Sequence, residues 1–274
     1  AEKKLERFRN SFELDGRELI MTASIGIAMY PDDGDNASEL LRNADSAMYY
    51  SKEHGRNTYS YFTDSMNQQV SRRLLIEEQM HGALARKEFW LCYQPKVDIT
   101  TRKIIGVEAL LRWKNPALGF VSPDEFIPIA EQTGLIVSIG LFVLEEAMQV
   151  AASWQSKYKQ DLSMAINLSP RQFRDPDLVS NIESTMQKSG LSSNQLELEI
   201  TEGVLLTGHA YVDNALEALS GLGISLAMDD FGTGYSSLSY LRSYPFDVLK
   251  IDRSFIDDIT EDAADLELVN AAIA

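Results

Sequence analysis

The chain has 274 residues, with 41 Asp and Glu against 25 Lys and Arg, a formal charge of −16 and a pI near 4.6. That acidity makes wrapping of a nucleic acid polymer by charge a poor expectation, and a phosphate-bearing ligand would need a local feature to overcome the field of the whole molecule. A hydrophobic share of 45% excludes global disorder, a lone Cys92 excludes an internal disulfide, and His54, His81 and His209 are too scattered for HExxH zinc chemistry.

No stretch is expected to reach the ~20 apolar residues of a membrane helix, and the charged opening at Ala1–Asn10 shows no apolar signal-peptide region. A reduced, cytoplasmic compartment is therefore expected.

Residues 1–63 read as a small α+β piece. Glu18 to Tyr30 is a β-rich run that stops at Pro31 and the turn Asp32-Asp33-Gly34-Asp35. Ser38 then precedes Leu40, Leu41, Ala44, Ala47 and Met48 at helical spacing, with Gly55 as a C-terminal stop, and Thr58 to Phe62 forms a short strand. Residues 64–88 carry Val70, Leu74, Leu75, Met80 and Leu84 on one helical side, which reads as a connector helix. A partner-binding helix is the alternative.

From Phe89 onward apolar runs alternate with helical stretches. Strands are expected at Trp90 to Ile99, Lys103 to Trp113, Leu162 to Leu168, Gln195 to Thr201, Ile224 to Asp230 and Asp247 to Ile251. Helices fall at Phe126 to Trp154, broken by Gly134, then at Asp177 to Lys188, Tyr211 to Leu222, Ser236 to Arg242 and Asp265 to Ala274. Such alternation means a parallel sheet covered by helices, as a barrel or an open doubly wound sheet. Nearly every strand ends in a polar group, as barrel enzymes do at their C-terminal face, and no GxGxxG or P-loop occurs. The barrel is the favoured fold class.

Strand parity places side chains. Lys250 and Asp252 share one face, Glu197 and Glu199 alternate with leucines, Asn167 sits opposite Ile166 and Leu168, and Glu108, Leu110 and Arg112 share a third face. If the apolar parity packs under the helices, Glu108, Asn167, Glu199, Asp230 and Asp252 converge on one pocket. Carboxylates that close cannot all be ionised without a cation. Oxygen-only donors suit Mg²⁺ or Mn²⁺, and two such ions would activate water and clamp a phosphate for in-line displacement. Lys250 could then hold the attacking water. Each acid has a plainer alternative: Asp229 and Asp230 could cap the helix at Ser236, and Lys250 with Asp252 could be a local ion pair. Asp15, Asp32, Asp33 and Asp35 read as turn acids.

At these residues the chain resembles the EAL-domain cyclic-di-GMP phosphodiesterases. The blocks are Tyr93-Gln94-Pro95, Glu108-Ala109-Leu110-Leu111-Arg112-Trp113, Asn167-Leu168-Ser169, Glu199-Ile200-Thr201-Glu202, Asp229-Asp230-Phe231-Gly232-Thr233-Gly234 and Lys250-Ile251-Asp252. Residues 1–63 resemble the C-terminal part of a GGDEF (diguanylate cyclase) domain through Ser24-Ile25-Gly26-Ile27-Ala28, Ala44-Asp45-Ser46-Ala47-Met48-Tyr49 and Gly55-Arg56-Asn57. The chain has no adjacent Gly pair, so cyclase activity is not assigned to it.

The resemblance implies a TIM-like (β/α) barrel over 89–274 and hydrolysis of cyclic di-GMP to linear pGpG with two Mg²⁺ or Mn²⁺ ions. It implies Glu108, Asn167, Glu199, Asp229, Asp230 and Asp252 as metal ligands, with Glu108, Asp230 and Lys250 catalytic. Gln94 and Arg112 would contact the nucleotide, and Glu202 would brace a mobile loop from Asp230 to Ser236. A homodimer through the EAL domain is also implied. Counted the family's way, the barrel lacks its last two strands, one of which carries a further metal-ligand Glu. The alternative function is therefore a catalytically inactive module that binds cyclic di-GMP or regulates a partner.

Overall fold

The computed structural model describes residues 1–8, 11–14, 17–19, 21–159, 161–205, 209–232, 243–257, 259–260 and 263–273. They fall into two units, Ala1–Glu78 and Gln79–Ala274.

In the first unit, α1 (Glu2–Phe8) leads to the antiparallel pair β1 (Phe12–Leu14) and β2 (Arg17–Leu19). The run from Glu18 to Tyr30 is thus not one strand. Its second part, β3 (Ile25–Ile27), pairs in parallel with β4 (Tyr59–Tyr61), and α2 (Ala37–Glu53) packs on this pair. The approach is close enough that a Cβ on Gly26 would lie 1.8 Å from the Ala44 carbonyl oxygen, so only glycine fits. Helix α2 is capped by Asn36 rather than Ser38: Asn36 Oδ1 accepts from the Glu39 amide at 3.0 Å, and Glu39 accepts from the Asp35 amide at 3.1 Å.

Helix α3 spans Asp64–Met80, shorter than the expected 64–88. Gly82 and Lys87 at positive φ turn the chain instead, and Arg86 donates to the carbonyls of His81 and Gln79 at that helix end.

The second unit holds β5 (Phe89–Val97), β6 (Ile104–Asn115), β7 (Gly119–Val121), α4 (Pro123–Thr133), α5 (Leu135–Tyr158), β8 (Ser163–Leu168) and α6 (Leu178–Ser189). After these come β9 (Leu196–Thr201), α7 (Glu202–Leu205), α8 (Ala210–Gly221), β10 (Ser225–Phe231), β11 (Val248–Ile251), α9 (Ser254–Asp257) and α10 (Ala263–Ile273). The helix expected at Ser236 to Arg242 lies outside the described residues. Gly134 breaks α4 from α5 as expected, with φ of 86°.

The sheet order is β11-β10-β9-β8-β6-β5, with β7 on β6. From β6 to β11 the pairing is parallel, while β5 and β6 form an antiparallel hairpin. Among the described residues β5 and β11 do not pair with each other.

One parity of β8, β9 and β10 is apolar and covered. Met164, Ile166 and Leu168 of β8, Leu196, Leu198 and Ile200 of β9, and Leu226 and Met228 of β10 are all buried. Over them lie Leu144 and Met148 of α5, Ile182 of α6 and Leu216 of α8. Trp113, 0% exposed, stacks on Phe89 and meets Phe126 of α4 edge-on.

Helix α5 differs from the sequence reading, being 24 residues long and apolar enough to cross a membrane by length and composition. Its apolar side packs on β8 and α6, and covering a sheet demands the same composition.

The other parity shows that the sheet is rolled. Lys250 on β11 lies 3.4 Å from Glu108 on β6, with three strands between them. In a flat sheet those strands would stand about 19 Å apart at ~4.8 Å per strand. Lys96 on β5 likewise reaches Glu197 on β9. The sheet is a TIM-like barrel wall with a charged interior.

Candidate active site

Register sets which side chains share the interior. Gln94 on β5 faces Glu108 on β6, Asn167 on β8 faces Glu199 on β9, and Ala227 beside Glu199 opens space on β10. Asn167 Nδ2 donates to Glu108 Oε1 at 2.8 Å. Lys250 Nζ donates to Glu199 Oε2 at 2.5 Å, Asp229 Oδ2 at 3.1 Å and Glu108 Oε2 at 3.4 Å. Four strands thus meet on one ammonium.

Burial and charge pull this cluster in opposite senses. The Glu199 side chain is 0% exposed, and burial pushes its carboxyl above the ordinary value while Lys250 works against that shift. Burial would also lower Lys250, yet its hydrogen bond to Glu199 and the charges of Glu199, Asp229 and Glu108 raise it. Three carboxylates around one ammonium keep Lys250 charged, while burial and the neighbouring carboxylates hold the Glu199 carboxyl up to about 7.

Asp230 joins the site by an unusual route. Consecutive strand residues point to opposite faces, but the β10–β11 register shifts between Met228 and Phe231, and Asp230 has φ of 55°. This bulge turns Asp230 toward the same charges as Asp229. Burial, followed by the charges of Asp229 and Asp252, raises its carboxyl.

Asp252 is placed differently. Its Oδ1 accepts from the Ser254 amide at 2.9 Å and from the Ser254 hydroxyl, which lowers its pKa and caps α9. Lys250 makes its ion pairs across strands rather than with Asp252. Glu202, 3% exposed, opens α7 directly after β9. Of the loop it was expected to brace, Asp230 to Ser236, the part from 233 onward is outside the described residues.

Arg112 lines a cavity of about 440 Å³ beside the cluster, with Asn167 and Ser169 on one wall and Ile136 and Ile139 on another. Glu131 also lines it, its carboxyl raised by burial.

Sequence reasoning missed Lys96. It shares the face of Gln94 by simple alternation, donates to Glu197 Oε1 and stands 3.8 Å from Glu199 Oε1.

A resident divalent cation would suit the donors in type, since they are oxygens of Glu108, Asn167, Glu199 and Asp229. Glu199 Oε1 is buried and receives no hydrogen bond, which leaves an acceptor for a cation. Among the described residues, however, no group of three His, Cys, Asp or Glu lies in joint ligating reach. Lys250 supplies the positive centre in this arrangement.

A rolled sheet with outer helices and acids at its C-terminal strand ends defines a barrel enzyme scaffold. Residues 77–274 match the family described as EAL domain, and residues 1–58 match "Diguanylate cyclase, GGDEF domain". The chain belongs to the EAL domain family.

The bifunctional diguanylate cyclase/cyclic di-GMP phosphodiesterase MucR of Pseudomonas aeruginosa is 42% identical over 274 residues, covering 100% of this chain and 40% of that protein. The cyclic di-GMP phosphodiesterase NbdA of the same organism is 38% identical, covering 100% of this chain and 35% of NbdA. The chain therefore spans well under half the length of these curated relatives. Among solved structures, the PaMucR phosphodiesterase in complex with c-di-GMP aligns with a TM-score of 0.69 at 41% identity, over 72% of this chain and 80% of that one.

Proposed function

We propose that this chain hydrolyses cyclic di-GMP to linear pGpG with Mg²⁺ or Mn²⁺, as the phosphodiesterase portion of a bacterial second-messenger protein. The observation that carries the proposal is the meeting of Glu108, Glu199 and Asp229, from three strands, on the Lys250 ammonium in a chain of this family. The names of MucR and NbdA, and the c-di-GMP complex of the former, support the substrate.

In this reading Glu108, Asn167, Glu199, Asp229, Asp230 and Asp252 hold two divalent cations. When bound, those cations supply Lewis acidity at the phosphoryl group and make water a better nucleophile. The rest falls to the chain's own groups. Lys250, kept charged by its carboxylates, is a donor rather than a base, and it orients the attacking water or stabilises charge on the phosphoryl oxygens. Arg112 takes a phosphate and Gln94 the nucleotide, at the rim where both side chains share the interior face. Water's oxygen ends on phosphorus, one P–O bond breaks, and a proton goes to the departing ribose oxygen. Glu202 braces the loop that follows Asp230. A homodimer and a cytoplasmic location belong to the same reading.

Incubating the chain with cyclic di-GMP and Mg²⁺ and identifying the product by mass tests the proposal; intact substrate would count against it.

A second reading has one observation behind it: the Lys250 ammonium occupies the centre on which the three acids meet, and among the described residues no group of three His, Cys, Asp or Glu is arranged to hold a metal ion. It is a module that binds cyclic di-GMP without turnover. Calorimetry that finds binding where chromatography finds no product would select it.

A further inference from the structure

The interior holds a second lysine that the proposed chemistry leaves unused. Lys96 on β5 donates to Glu197 Oε1 and stands 3.8 Å from Glu199 Oε1, while Lys250 on β11 holds Glu199 Oε2 at 2.5 Å. One fully buried carboxylate is therefore bracketed by ammonium groups on both oxygens. They arrive from strands on opposite sides of β9.

This bracketing has a geometric consequence. The terminal torsion of a glutamate is broad, so a carboxylate held at one oxygen turns easily. A charge facing the other oxygen fixes its plane. Lys96 can do this because it is anchored: Glu197, two residues before Glu199 on the same face, takes its closer contact. Yet no hydrogen bond reaches Glu199 Oε1. The oxygen is oriented by charge and its lone pairs remain open.

We propose that Lys96 is a positioning residue for Glu199: anchored on Glu197, it holds Oε1 in the orientation that accepts a divalent cation. The inference rests on the cation site of the proposed function. Groups behind a metal ligand often act this way, and losing one costs about 10–100-fold in metal affinity. The opposite role has the opposite sign. A lysine that merely added positive charge nearby would repel the ion, and its removal would tighten binding.

The test is calorimetric titration of the 274-residue chain with Mn²⁺ alone, without nucleotide, alongside thermal unfolding. Lys96→Met is expected to weaken Mn²⁺ binding by about 10-fold or more, and Lys96→Arg to recover most of the loss. Glu197→Gln, which keeps the lysine but loosens its anchor, is expected to weaken binding less, in the same direction. Equal or tighter binding by Lys96→Met overturns the proposal. Should that variant not fold, Glu197→Gln decides, and unchanged affinity there overturns it. A wild-type chain that binds no Mn²⁺ overturns the cation site and the role of Lys96 together. Wild-type binding with no loss in the variants overturns the role of Lys96 alone.

Discussion

Lys250 and Glu199 meet at 2.5 Å although their strands are not neighbours; β10 lies between them. The contact exists because the sheet is rolled, and it places a cation where Glu108, Glu199 and Asp229 would otherwise repel one another.

Removing that cation should be costly. Lys250→Met leaves Glu199 buried among like charges, and stripping one partner from a buried pair costs about 3–5 kcal/mol. Because the Lys250 side chain is 25% exposed, the lower end of that range, about 3 kcal/mol, is expected. A divalent cation should restore part of it by binding the folded state alone. Chemical denaturation with and without Mg²⁺ measures both effects; a variant as stable as wild type would show that the ammonium does not hold the cluster together.

Glu88 anchors the C-terminal end of β6. It accepts from Trp113 Nε1 and Asn115 Nδ2, each at 3.0 Å, and from Arg86 Nε at 2.5 Å. Burial alone would raise its pKa, but these three donors outweigh burial and lower it below the ordinary 4.5. A lowered carboxyl contributes stability that is fully present above the unfolded value and lost as pH falls through the folded one. Glu88→Gln should therefore flatten the loss of stability below about pH 4.5. Glu88→Ala should cost about 2–3 kcal/mol at neutral pH by stranding buried donors. Urea titrations at stepped pH, read by tryptophan fluorescence, check both.

Tyr93 sets an alkaline counterpart. Its hydroxyl is buried without a hydrogen-bond partner and its ring meets Trp154 edge-on. Burial pushes the phenol up to about 12 from 10.0. The protonated form is favoured in the fold, so this contribution is intact below pH 10 and lost as pH rises through about 12. Absorbance at about 295 nm, where phenolate absorbs, should show a late-titrating tyrosine that disappears in Tyr93→Phe. An unchanged titration curve would contradict the assignment.

These residues also show what the sequence made legible. Alternation alone separated the buried leucines of β9 from Glu197 and Glu199, and Gly134 marked the break between two helices. The interior identity of Glu108, Asn167 and Lys250 followed from the same parity. Pairing across the barrel did not, since Lys96 and Glu197 are 101 positions apart and meet only once the sheet is rolled. Asp230 was legible only as a candidate, because its aim depends on a bulge with positive φ that no periodicity encodes. Three-residue strands such as β1 and β7 escaped because they are too short to show a pattern. The long apolar helix α5 was underestimated because its charged residues interrupt the run without breaking the helix.

The proposal that the cluster around Lys250 performs cation-dependent hydrolysis is tested most directly by Glu108→Ala. Turnover of cyclic di-GMP by wild-type and variant chains would be followed by anion-exchange chromatography, with Mg²⁺ and after its removal by a chelator. We expect linear pGpG from the wild type only when Mg²⁺ is present. The variant should lose more than the roughly 10–100-fold that partners behind a metal ligand cost. Undiminished turnover by Glu108→Ala, or product formed equally well after chelation, would contradict the account.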